Sequence, residues 1–121
     1  MEGDRALAAM ACASRLALGT AFVVAPGTLV RLWTGETAPA DTLLARGLGI
    51  RDALLGAGAL LALVERQPAR RWIQAGALSD AVDAAITLAA VERIPRNRRL
   101  VFASVASAAA ATFAALSVRV R

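Results

Sequence analysis

Four apolar stretches alternate with short charged ones along the chain, at residues 6–25, 43–64, 72–91 and 100–118. As helices rising 1.5 Å per residue they would be about 28 to 33 Å long, close to the hydrocarbon thickness of a bilayer. A soluble amphipathic helix shows a polar stripe at a 3.6-residue period. The last stretch, LVFASVASAAAATFAALSV, has no charge on any face. The pattern predicts an all-α fold: one integral membrane domain over residues 1–121, a four-transmembrane-helix bundle running up-down-up-down, with both chain ends on one side. Ser104, Ala108, Ala111 and Ala115 recur at three- and four-residue spacing, which suits close helix packing in lipid.

The connections read as turns at the bilayer surface. Pro26 and Gly27 end the first stretch, and Asp41 or Thr42 is placed to cap the second. Pro68 suits the first turn of the third helix, and Pro95 breaks the chain before Asn97, the expected cap of the fourth. Trp33 and Trp72 fall at segment edges on opposite faces, as interfacial tryptophans do, and residues 27–33 (GTLVRLW) read as a segment along the interface. One face carries Arg5, Arg66, Arg70, Arg71, Arg119 and Arg121; the other carries Arg31, Arg93, Arg96, Arg98 and Arg99. This near balance leaves orientation open and is also the pattern of a dual-topology protein.

Composition narrows the chemistry. The 121 residues are 58% apolar with mean hydropathy +0.57, and all 14 basic residues are arginine. Arginine without lysine in an Ala/Gly-rich chain fits a GC-rich bacterial genome, so the expected location is the bacterial cytoplasmic membrane. Without histidine the chain lacks the usual general base near neutral pH and the commonest metal ligand. Cys12, the single cysteine, supports neither an intrachain disulfide nor a thiolate metal cage, and reads as a small apolar packing residue. No metal and no cofactor are expected. The sequence before Cys12 is a poor match to a lipoprotein cleavage site, and the amino terminus is expected to be retained. The formal charge of +5 sits mostly beside apolar stretches, without a basic stripe interleaved with aromatics, so nucleic acid is not an expected partner. The lipid bilayer is; the arginine-rich turn at 93–99 would anchor to anionic headgroups.

Six ionisable residues lie inside the apolar stretches: Arg15, Arg46, Arg51, Asp52, Asp80 and Asp83. Three positive and three negative charges cancel, and all but Arg46, nearer the surface, fall close to mid-membrane depth. An Asp at a helix centre costs about 2.5–3.5 kcal/mol on insertion scales, so the third stretch carries roughly 6 against insertion and recovers only about 3 from its apolar residues. It needs partners. Asp80 and Asp83 share a face one turn apart, extended by Gly76 and Thr87. Gly49, Gly56 and Ala59 keep the Asp52 side of the second stretch slim. A close approach of the second and third stretches would set Asp52 among arginines and bring Asp80 and Asp83 within reach of Arg51 and Arg15. Gly47, Gly49, Gly56 and Gly58 read as helix-packing positions, not as a phosphate loop.

The pattern Arg46-Gly-Leu-Gly-Ile-Arg51-Asp52, followed about thirty residues later by Asp80-Ala-Val-Asp83, resembles small four-helix bacterial membrane proteins grouped as a family of unknown function. The resemblance covers about half the chain and implies four helices but no activity.

Three readings of the buried charges follow. The first is acid–base catalysis on a lipophilic small molecule arriving from the bilayer, by a hydrolase, isomerase or cyclase. Asp52, Asp80 and Asp83 would be its catalytic carboxylates, and Arg15, Arg46 and Arg51 would hold substrate. In its epoxide-opening form Asp80 or Asp83 activates water or a substrate hydroxyl, Arg51 orients it and Asp52 donates a proton, similar to the Asp-Arg-Asp chemistry of the soluble, unrelated limonene-epoxide hydrolases. The second is a non-catalytic accessory subunit whose ion pairs fix helix register, in a homodimer or larger membrane complex. The third is a small dual-topology transporter. In length it looks like the small multidrug-resistance exporters, yet Arg15 stands where their first helix carries an acidic residue.

Overall fold

The computed structural model describes residues 2–36 and 38–120. Among them the chain is all-helical: α1 (Glu2–Val24), α2 (Pro26–Thr34), α3 (Pro39–Val64), α4 (Arg70–Ala89) and α5 (Arg96–Arg119). Three helices, α1, α3 and α5, are long and apolar enough to cross a membrane. α4, which carries Asp80 and Asp83, is 20 residues long but does not meet that standard.

The helix ends differ from the sequence expectation in informative ways. Pro26 does not only stop α1; it opens α2, where its fixed φ and missing N–H suit a first turn. The segment expected along the interface is thus a separate short helix. It ends at Gly35, whose φ of 87° is left-handed and whose N–H donates to the Arg31 carbonyl at 2.9 Å. α3 begins at Pro39, earlier than expected, and Asp41 acts from within the first turn by accepting the Ala38 N–H at 3.3 Å. Asn97 is not a cap: α5 starts at Arg96, with Pro95 in the flanking position. Pro68 lies just before α4, which starts at Arg70.

α1 packs most extensively on α3 and α4 on α5, with α3 also against α4 and α1 against α5. α1 and α3 run antiparallel, as their contacts show in order: Arg5 with Leu63, Cys12 with Gly56, Arg15 with Asp52, Gly19 with Gly49, and Val23 with Arg46. Arg119 lies 3.6 Å from Asp4, so the end of α5 sits beside the start of α1.

The buried residues explain this packing. On α1 they are Ala8, Cys12, Arg15, Gly19 and Phe22; on α3 they include Ala45, Gly49, Asp52, Gly56 and Ala59. Both sets step by four and three residues in alternation, the seam of helices that cross at a shallow angle. A Cβ on Gly19 would lie 2.5 Å from the Ala53 nitrogen, and one on Gly56 2.7 Å from the Leu16 nitrogen. The glycine-mediated approach is therefore between α1 and α3, not between the second and third apolar stretches as expected. Gly58 supports the Trp72 ring, whereas Gly47 meets nothing within 4 Å and is not a packing position. The stripe of Ser104, Ala108, Ala111 and Ala115 faces outward; α5 packs instead through Ala103, Phe113, Leu116 and Ser117.

The distribution of side chains is inverted relative to a water-soluble bundle. Arg15, Asp52 and Asp80 are 7%, 5% and 8% exposed, while Leu78 and Ile86 on α4 are 68% and 61% exposed. Leu7, Leu43, Leu44, Leu54 and Leu61 likewise point out. Water would penalise so large an exposed apolar surface; hydrocarbon would not. The chain has the build of a multi-pass membrane protein.

Candidate functional site: a buried arginine–aspartate cluster beneath an apolar cavity

Arg15 projects from the middle of α1 into the space between α3, α4 and α5. Its Nη1 donates to Asp52 Oδ1 at 3.0 Å, and its Nη2 donates to Asp80 Oδ2 and, at 3.2 Å, to the Gly76 carbonyl. Gly76 permits this contact because a Cβ there would lie 3.2 Å from Arg15 Nε. The guanidinium carbon also sits 4.4 Å from the Phe113 ring centroid, a cation–π distance. Arg51 grips Asp83 with both terminal nitrogens, at 3.2 and 2.7 Å, and reaches Asp52 Oδ1 at 3.3 Å. Asp52 thereby joins two ion pairs into one network spanning α1, α3 and α4.

Five of the six expected site residues meet: Arg15, Arg51, Asp52, Asp80 and Asp83. Arg46 does not. It is exposed and its Nε donates to the Val23 carbonyl at 3.3 Å. The expected cancellation of three charges by three is therefore replaced, within the cluster, by two arginines facing three aspartates.

The carboxylates are not equally engaged. Asp83 accepts on both oxygens. Among the described residues Asp52 Oδ2 and Asp80 Oδ1 accept nothing, and both residues line a cavity of about 220 Å³. Asp83 and Thr87 continue their wall, and Leu18, Phe22, Leu29, Trp33 and Phe102 make the rest largely apolar. The cavity thus lies between the buried charges and α2. A larger concavity, about 760 Å³, opens near Gly35 and the 91–98 turn; it is lined by surface residues such as Glu36, Glu92 and Arg98 and shares none with the cluster.

Trp33, expected as an interfacial anchor, is half-buried in the cavity wall. It stands edge-on to Phe22 and stacked on Phe102, with centroids 6.2 Å away in both cases. The α2 helix that carries it is tied down by Arg98, whose Nη1 donates to the Arg31 and Leu32 carbonyls at 2.9 and 2.8 Å. Arg98 therefore satisfies helix-end carbonyls. Cys12 is a buried packing residue, as expected. No metal-ligand cluster occurs among the described residues.

No family model, curated protein or solved structure matches this chain.

Proposed function

We propose that α1, α3, α4 and α5 all cross the bilayer, up-down-up-down, and that the cavity receives a small lipophilic molecule for acid–base chemistry at Asp52 and Asp80. Support for the fourth span comes from α4's two faces: aspartates turned to Arg15 and Arg51, and leucine, valine and isoleucine turned out. The bacterial cytoplasmic membrane is the proposed location, and the resemblance of the Arg46–Asp52 and Asp80–Asp83 motifs to small four-helix bacterial membrane proteins belongs to the same reading.

One observation carries the catalytic part: two buried carboxylates, each with one oxygen held by arginine and one oxygen free, share the wall of an apolar cavity. Arg15 stands between the two, and the chemistry requires that one of the pair hold a proton while the other acts as the base. In epoxide opening the base takes a proton from water or a substrate hydroxyl. The oxygen of that water or hydroxyl bonds to carbon as the ring C–O bond breaks, and the protonated partner gives its proton to the departing ring oxygen. Asp83, with both oxygens occupied, is a positioning residue that fixes Arg51. The substrate is small, since the cavity is below the roughly 300–1,000 Å³ of drug-sized sites.

Protein in lipid nanodiscs, incubated with a panel of small lipophilic epoxides and analysed for diols or cyclic ethers, tests this. Turnover that falls by about a hundredfold or more in folded Asp52→Asn and Asp80→Asn supports it; a folded wild type that converts no panel member contradicts it. The engagement of both terminal nitrogens of Arg15, with two aspartates and a carbonyl beside a ring, favours a second reading: a register-fixing network in an accessory subunit. There, loss of stability and loss of complex assembly would track each other across the same variants.

A further inference from the structure

The cluster holds more negative than positive charge, and nothing around it among the described residues makes up the difference. From α1 comes Arg15; from α3, Arg51 and Asp52; from α4, Asp80 and Asp83. α2 and α5 face the cavity with Leu29, Trp33, Phe102, Val105, Ala106 and Ala109, none of them charged. Arg46, which would balance the count, is exposed and occupied by the Val23 carbonyl. One negative charge in a low-dielectric site is therefore left over, and such a charge is strongly disfavoured unless a proton or a cation joins it.

We propose that the cavity binds a small lipophilic monocation, of the alkyl- or benzylammonium class, in exchange for one proton. Empty, the leftover charge is cancelled by a proton on the aspartates; filled, it is cancelled by the ligand. Three features suit an ammonium. The free oxygens of Asp52 and Asp80 provide the counter-charge at the cavity's polar end. Phe22, Trp33 and Phe102 supply aromatic surfaces beside it, which attract organic cations electrostatically. The protein already places one cation in this way, with Arg15 over Phe113. The apolar remainder of the wall selects a lipophilic body, and the volume of about 220 Å³ limits its size. This inference goes beyond acid–base catalysis; it rests on the charge count and the cavity lining together with the membrane placement proposed above, and exchange of a proton for a cation is equally the elementary step of a transporter.

The test uses the full chain in lipid nanodiscs with benzyltrimethylammonium, which has no proton to lose, and neopentylbenzene, its uncharged isostere. Calorimetry at neutral pH in two buffers of different ionisation heat reads the protons released. Release of about one proton per cation bound is expected from the charge count, with the isostere competing at least about tenfold more weakly, a difference within reach of one ionic contact. Asp52→Asn subtracts the leftover charge and should abolish proton release and weaken the cation by about tenfold or more. Asp80→Asn makes the same subtraction should the first variant lose its helical circular dichroism, and Arg46→Ala should change neither quantity. No cation binding, binding without proton release, or equal affinity for the isostere overturns the proposal. Failed epoxide turnover with intact cation exchange removes only the catalytic reading; turnover without exchange removes only this one.

Discussion

Replacing Arg15 by methionine keeps much of the side chain's volume and removes its charge. The change orphans Asp80, leaves Asp52 with only its 3.3 Å contact to Arg51, frees the Gly76 carbonyl and ends the contact with Phe113; the two carboxylates are 8% and 5% exposed. Removing one partner of a buried ion pair costs about 3–5 kcal/mol, because an uncompensated charge is left behind. Here the cluster would change from two arginines against three aspartates to one against three. Adding Asp80→Asn to Arg15→Met deletes the orphaned charge. The double variant should therefore be less destabilised than the two single costs predict, by about 1–3 kcal/mol of coupling. The assay is reversible unfolding of purified protein in mixed dodecyl maltoside and dodecyl sulfate micelles, followed by circular dichroism, for wild type, both single variants and the double. An Arg15→Met cost below about 1 kcal/mol, or costs that simply add, would refute the idea that Arg15 neutralises these two carboxylates.

Gly19→Leu should destabilise by several kcal/mol or abolish folding in the same assay, since even a Cβ there falls 2.5 Å from the Ala53 nitrogen and 2.6 Å from the Gly49 carbonyl, both backbone atoms that cannot step aside. Gly47→Ala should do the reverse and stabilise by about 0.5–1 kcal/mol, because its Cβ would meet nothing and helical glycine carries an entropic cost. Asp83→Asn should weaken the two-pronged grip of Arg51 and lower turnover less than Asp52→Asn or Asp80→Asn does, measured on the same epoxide panel. Arg46→Ala should leave unfolding and turnover close to wild type, since that guanidinium is exposed and away from the cavity.

Much of the charged core was legible because the chemistry is coarse. Ionised groups in a membrane-length apolar stretch must find each other, and the one-turn spacing of Asp80 and Asp83 placed both on the face that meets Arg51 and Arg15. Arg46 is an exception, since a residue near a helix end can turn to the surface and need not join the cluster. The helix pairing was harder. Gly49 and Gly56 signal a close neighbour but not which one; that choice becomes readable only when Ala8, Cys12 and Gly19 on α1 are seen to step in the same four-three rhythm. The outward stripe on α5 is the complementary case, because a helix rich in alanine has small residues on every face and their spacing does not mark the contact side. The cavity was not visible at all, because it depends on α2 folding as a separate helix and carrying Trp33 inward to Phe22 and Phe102.

The surroundings of α4 decide whether the aspartates lie inside a membrane domain. Nitroxide labels placed singly at Leu78, Val82 and Ile86, with Cys12 replaced by alanine and the protein in liposomes, report collisions with oxygen and with a water-soluble nickel chelate. Lipid-facing positions would relax strongly with oxygen and barely with nickel, most so for the label nearest mid-helix, as expected where outward apolar side chains cover inward aspartates. Strong nickel accessibility at all three would mean that water, not hydrocarbon, surrounds α4, and a buried intramembrane cluster could not stand.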